Sequence, residues 1–294
     1  MHAGLLAVFL QLVATSARPA ECVPAEGASG TNVWERAKAP QLRRYCDLLA
    51  SGSAKLAGAP GQIKEVLAIA DDAEKLMPEK VFPAILRGRA YARLGRWDEA
   101  LTSLASARKR DDRALEDTFA LLAWARANAR TGHLDEATVA YRRLLPQAKA
   151  LPPNERSVAT LEAGLVLMGR GPAAIDDAVA VLRQARREGQ DALLGASVLA
   201  LALALDRAGQ RDEAKGVLAE RGKIDPKTLL GDPRVKEAVA NAAATGEVDA
   251  LTAIGLEGSD PQGARDAWSR YQQTKGAWAD HARNRDAPKR KGDR

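Results

Sequence analysis

From residue 45 to about 226, apolar side chains recur at helical spacing, in stretches broken by short polar or glycine-bearing turns. "VFPAILRGRAYARLGRWDEALTSLASARKRDD", residues 81–112, shows the pattern in one piece. It predicts a first helix carrying Gly88 and Tyr91, a stop at Gly95, and a second helix carrying Ala100, Leu104 and Ala107. Long β-branched runs are missing, so the pattern predicts an all-α chain. "GRWDEA" at 95–100 returns as "GHLDEA" at 132–137, as "GQRDEA" at 209–214, and more loosely as "GPAAIDDA" ending at Ala178. Gly61 to Gly95 is 34 residues; Ala100 to Ala137 is 37, to Ala178 another 41, and to Ala214 another 36. Intervals of this size mark stacked supersecondary units.

Each place in the phrase has a physical task. Gly95, Gly132 and Gly209 stand where the first helix stops and the chain takes a left-handed turn, at little steric cost to glycine. Asp98, Asp135 and Asp212 are expected to open the second helix, accepting from its free N–H groups and complementing its dipole. Gly88, Ala100 and Ala107 let helices approach, and Leu104, Tyr141, Leu182 and Leu218 fill the remaining space. The recurring acids thus read as helix starts and not as a catalytic pair.

Gly88, Tyr91, Gly95, Ala100, Leu104 and Ala107 together resemble the tetratricopeptide repeat, with Asp112 where proline is usual. The other units share the register: Ala54, Gly61, Ala73 and Pro78; Ala125, Gly132, Ala137, Tyr141 and Leu144; Gly164, Ala178, Leu182 and Ala185; Ala202, Gly209, Ala214, Leu218 and Pro226. The resemblance covers 45–226. It implies a right-handed superhelical solenoid of five to six antiparallel helix pairs, whose first helices line a concave groove. Carried over by register, Phe82, Ile85 and Arg89, then Phe119, Leu122 and Arg126, would face that groove. Two rings and two guanidinium groups suit a protein or peptide segment with acidic and apolar side chains. The alternative is that the arginines pair with nearby carboxylates and the rings pack between units. The paired Lys and Asn residues with which family members grip a C-terminal carboxylate are missing. Residues 227–282 read as a degenerate helix pair around Gly246 followed by a capping helix opened by Asp260-Pro261, with Trp268 and Tyr271 as cap packing.

Charge and composition change this picture only at the ends. Apolar residues make up 46% and aromatics 4%, so Ala and Leu carry the core. The net charge of +6 would point to nucleic acid, but the last twelve residues hold six basic and two acidic side chains. Residues 283–294 therefore read as a solvated basic tail, with a weak contact to an anionic membrane surface as the minor reading and no nucleic-acid partner expected. Residues 1–17 have the uncharged apolar stretch of a signal peptide, although only Met1 and His2 precede it; a buried N-terminal helix is the alternative. Residues 18–44 read as an arm or linker. Glu21 before Cys22 argues against lipidation, and in an oxidising compartment Cys22 and Cys46 would form one disulfide, the alternative being two free thiols.

His2, His133 and His281 are scattered, so no metal site is expected, and no phosphate loop, G-x-S-x-G or Cys/His pair marks a cofactor or a catalytic residue. The expectation is a non-catalytic scaffold, periplasmic or secreted by resemblance to exported members of the family, within a bacterial-type cell envelope. A cytoplasmic regulatory adaptor and an accessory domain for cell-wall enzymes are the rival readings.

Overall fold

Five helix pairs follow the repeat. They are α1 (Pro40–Leu56) with α2 (Ile63–Leu76), α3 (Phe82–Arg93) with α4 (Trp97–Arg110), α5 (Thr118–Arg130) with α6 (Leu134–Leu144), α7 (Pro153–Gly169) with α8 (Ile175–Glu188), and α9 (Asp191–Arg207) with α10 (Arg211–Ala219). The computed structural model describes Cys22 and residues 40–58, 60–220, 225–274 and 276–286. The expected signal peptide, most of the expected arm and residues 287–294 of the basic tail lie outside them, while 283–286, expected to begin that tail, belong to the last helix. Among the described residues there is no strand, and no helix is long and apolar enough to cross a membrane.

The turn in "GRWDEA" is a helix stop and a helix start in two residues. Gly95 is left-handed at φ +71°, and the Arg96 N–H reaches back to the Tyr91 carbonyl at 2.9 Å. The same bond joins His133 to Asn128 and Gln210 to Leu205, both at 2.8 Å, behind Gly132 and Gly209 at φ +85° and +79°. This closing bond satisfies carbonyls that the helix end leaves open. The expected role of the acids needs correction. Arg96, His133 and Gln210 are the N-caps, none with a side-chain cap bond, and Asp98, Asp135 and Asp212 lie inside the first turn. They keep the favourable charge against the helix dipole. Their neighbours also tie units together, as where Arg183 of α8 meets Glu213 of α10 at 2.7 Å.

Small residues set the helix spacing. A Cβ on Gly88 would come within 2.5 Å of Leu104 Cγ, and one on Gly164 within 2.5 Å of Leu182 Cγ, so in both pairs the leucine fills the hollow that glycine leaves.

After α10 the chain departs from the expected cap. Five short helices follow: α11 (Pro226–Gly231), α12 (Pro233–Asn241), α13 (Val248–Leu256), α14 (Pro261–Gln272) and α15 (Ala279–Asp286). Asp225, Asp232 and Asp260 cap α11, α12 and α14 with their carboxylates. The segment turns back instead of extending the array. α12 packs against α5, α7 and α9, the first helices of three consecutive units, and α13 packs on α9. The inner face of units three to five is therefore filled by the chain itself. This explains α9, which buries 14 of its 17 residues, polar Asp206 and Arg207 included: a helix covered on every side has no use for a polar stripe. The left-handed turn after α12 falls at Ala243, φ +52°, and not at Gly246.

Candidate binding face

Arg89 and Arg126 hold the same place in consecutive units, six residues before Gly95 and Gly132. Their surroundings differ completely. The Arg126 Nε donates to Glu162 Oε2 at 2.9 Å and Oε1 at 3.1 Å, and its Nη1 to Glu155 at 3.3 Å. Glu162 has no solvent exposure, and it also accepts from the Tyr141 hydroxyl at 3.1 Å and from Asn241 Nδ2 of α12 at 2.9 Å. Burial raises the Glu162 carboxyl above its ordinary value against the opposing pull of Arg126, Asn241 and Tyr141. Burial works against the charge of Arg126 as well, yet Glu162, Tyr141 and Glu155 raise it overall. A buried charge is tolerated only when paired and hydrogen-bonded, and this one is.

Arg89 has no such partner. Its guanidinium lies over the Phe119 ring, 5.0 Å from the centroid; among the described residues it makes no hydrogen bond or ion pair. Burial lowers it below its ordinary value, opposed by Asp117 and Glu155 at longer range and reinforced by Arg93. The sequence explains the contrast. Glu162 stands two residues before Gly164; the same place in α5, two before Ala125, is Ala123, which has no carboxylate to offer Arg89.

The structure thus divides the six residues expected along one groove. Ile85 and Leu122 are 3% and 2% exposed, so they belong to the packing between helices and not to an open surface. Arg126 is neutralised from within and lies next to the returning α12. Phe82, Arg89 and Phe119 are half-buried; Arg89 lies over Phe119, and Phe82 packs against the apolar cores of the first units. None of α11–α15 packs substantially on α1 or α3.

The return is held by polar groups that the repeat pattern does not single out. Arg207 of α9 donates to Glu247 at 2.7 Å and to the Tyr271 hydroxyl at 2.8 Å, and its guanidinium faces the Tyr271 and Trp278 rings at 5.3 and 5.0 Å. The Trp278 Nε1 donates to the Met168 carbonyl at 2.8 Å, and His281 meets Asp206 at 2.7 Å. Arg130 of α5 donates to the Ala240 carbonyl at 3.0 Å, at the end of α12. Tyr271 is therefore part of an interior network and not the packing of a terminal cap. A cavity of about 200 Å³ remains between α7 and the return, lined in part by Leu165, Ala243, Glu247 and Tyr271. Glu162 and Arg207 carried one signal in the sequence, a charge inside an otherwise apolar run ("VATLEAGLVLMG", "LALALDRAG"). At the other end of the array Cys22 and Cys46 are joined by a disulfide, and Cys22 packs on the core of the first pair with Leu49 and Val66. Among the described residues no group of three or more His, Cys, Asp or Glu is placed to hold a metal ion.

Paired helices, left-handed glycine turns and stacked first helices decide the architecture. It is tetratricopeptide-like. No family model and no curated protein matches the chain in sequence. Among solved structures it is similar to the crystal structure of the APC/C hetero-tetramer Cut9-Hcn1, with 16% identity and a TM-score of 0.39 over 83% of this chain and 53% of that one. The chain therefore spans about half the length of the chain it matches.

Proposed function

We propose that this protein is a non-catalytic scaffold that binds a protein segment on the inner face of its first three units, in a periplasmic or secreted setting. The observation that carries this reading is the divided inner face. Where α12 lies, the chain fills its own groove; around α1, α3 and the start of α5, Phe82, Arg89 and Phe119 stay half-buried without a covering helix from the return. Rings beside an unpaired guanidinium favour an apolar segment that carries an acidic group. The disulfide between Cys22 and Cys46 supports an oxidising compartment, and so does the apolar stretch at 1–17.

A photo-reactive residue placed at Phe82 or Phe119, in the protein expressed in its native cells, should crosslink a partner that is not captured from Thr102 on the outer face of α4. Equal capture from all three positions, or capture from Thr102 alone, would rule out the inner face. Terminal sequencing of the mature protein from fractionated cells tests the compartment: an intact Met1 in a cytoplasmic fraction would sink export.

A further inference from the structure

We infer that the face around Arg89 docks an amphipathic helix of a partner protein that sets one carboxylate on the Arg89 guanidinium. This rests on the scaffold reading above and names the partner's chemistry.

Two features of the molecule lead there. The first is the register of the repeat. At Arg126 the fold supplies the counter-charge itself, from Glu162 and Glu155. At Arg89 the matching place holds Ala123, which is 8% exposed, so the carboxylate that meets Arg126 has no counterpart there. A guanidinium does not escape by losing its proton. Half-buried over Phe119, with Arg93 adding positive potential, it gains from an external acid what Arg126 gains from an internal one.

The second is what already sits on this face. α12 is a nine-residue helix laid across α5, α7 and α9, with Val235, Ala238 and Val239 buried, three and four places apart. The end of α12 brings Asn241 onto the Arg126–Glu162 pair. The first helices of this array thus accept a helix with small apolar residues on one side and a polar group at the carboxylate that pairs with the arginine. Beside it the half-buried Arg89 of α3 and Phe119 of α5 lie in contact, and no helix of the return packs substantially on α3. A helix with a single Asp or Glu is complementary to it in shape and charge.

The probe is a fluorescein-labelled synthetic peptide of about sixteen residues, an amphipathic helix in length and pattern. It carries Ala, Val and Leu at i, i+3, i+4 and i+7 and one central glutamate, and its matched control has glutamine there. Anisotropy titrations of the full chain should show the glutamate peptide binding at least about tenfold tighter than the glutamine peptide. Arg89→Gln should remove that preference. Ala123→Glu, which supplies the acid internally as Glu162 does, should remove it too, without lowering Tm; if that variant fails to fold, the Arg89→Gln arm decides alone. Sodium acetate at matched ionic strength should not displace the peptide. Equal affinity for both peptides, a preference that survives Arg89→Gln, displacement by acetate, or no binding of either peptide would each overturn the inference. If positions 82 and 119 still crosslink a partner while the carboxylate preference is absent, the scaffold reading stands and this inference falls.

Discussion

At the scale of single residues, the turns decide how the chain is punctuated. Gly95, Gly132, Gly171 and Gly209 take φ between +71° and +91°, and Ala243 takes +52° at the corresponding turn after α12. There the Ala244 N–H reaches the Val239 carbonyl at 2.9 Å, the same closing bond as after Gly95, Gly132 and Gly209. An alanine in the left-handed region crowds its Cβ against the following carbonyl and costs about 1–2 kcal/mol. Ala243→Gly should therefore raise the unfolding free energy by up to about 1 kcal/mol, the rest being offset by the greater freedom of glycine in the unfolded chain. Gly132→Ala is the mirror experiment. Nothing lies within 4 Å of the added Cβ, so its loss of stability, of similar size, would be conformational and not steric. Urea titrations of both variants check the pair; a destabilised Ala243→Gly would show that the alanine is held there by contacts. The position of this turn was not legible beforehand. Gly246 looked like the stop because glycine is the usual residue, and only the backbone shows that alanine takes the strained place.

At the scale of elements, the helix pairs were readable because small and large residues recur in register, as where Gly88 meets Leu104 and Gly164 meets Leu182. The ion pairs between them were not, because they join residues thirteen to thirty-six places apart. The largest of these at the start of the array is centred on Glu74 of α2, which accepts from Arg87 of α3 at 2.6 Å and from Arg110 of α4 at 3.0 Å. The hydrogen bond from Arg87 is the main cause that holds the Glu74 carboxyl below its ordinary value of 4.5; burial opposes it and Arg110 reinforces it. A carboxylate lowered in the folded state contributes its stability in full above the unfolded value and loses it as pH falls through the folded one. Glu74→Gln should then cost at most about 1 kcal/mol at neutral pH, since the site is partly solvated. That difference from the wild type should close as the pH is taken well below 4.5. Thermal melts of both proteins across that range measure it, and a difference that stays constant into acid would mean that the glutamine is failing by shape and not by charge. The same non-local logic separates Arg89 from Arg126. Their own helices read alike, and the distinction is made by Glu162 on α7, with Asn241 of α12 completing the shell around that carboxylate.

At the scale of the whole molecule, the array and its return form one core. A solenoid stabilised only by nearest neighbours loses its last units without harm to the others. Here the largest apolar cluster runs from Leu121 through α7 and α9 to Trp278 and Ala282. It is fastened by Arg207 to Glu247 and Tyr271 and by Trp278 to Met168. The sequence announced half of this: "LLGASVLALALALDR" has no polar stripe, so α9 had to be covered on every side, but what covers it is set by contacts up to 75 residues apart. Removing residues 225–294 should consequently do more than shorten the protein. The inner faces of α7 and α9 would meet water, and Arg207 would lose both of its polar partners. The truncated chain should bind 1-anilinonaphthalene-8-sulfonate, self-associate in size-exclusion chromatography and unfold without a sharp transition, while retaining much of its far-ultraviolet helix signal. A truncated protein that stays monomeric and melts as sharply as the full chain would mean that units one to five are self-sufficient and that the return is a removable occupant. The predicted failure instead makes the filled half of the groove the rigid support on which the open half is presented, which is why a partner is sought at Arg89 and not along the whole array.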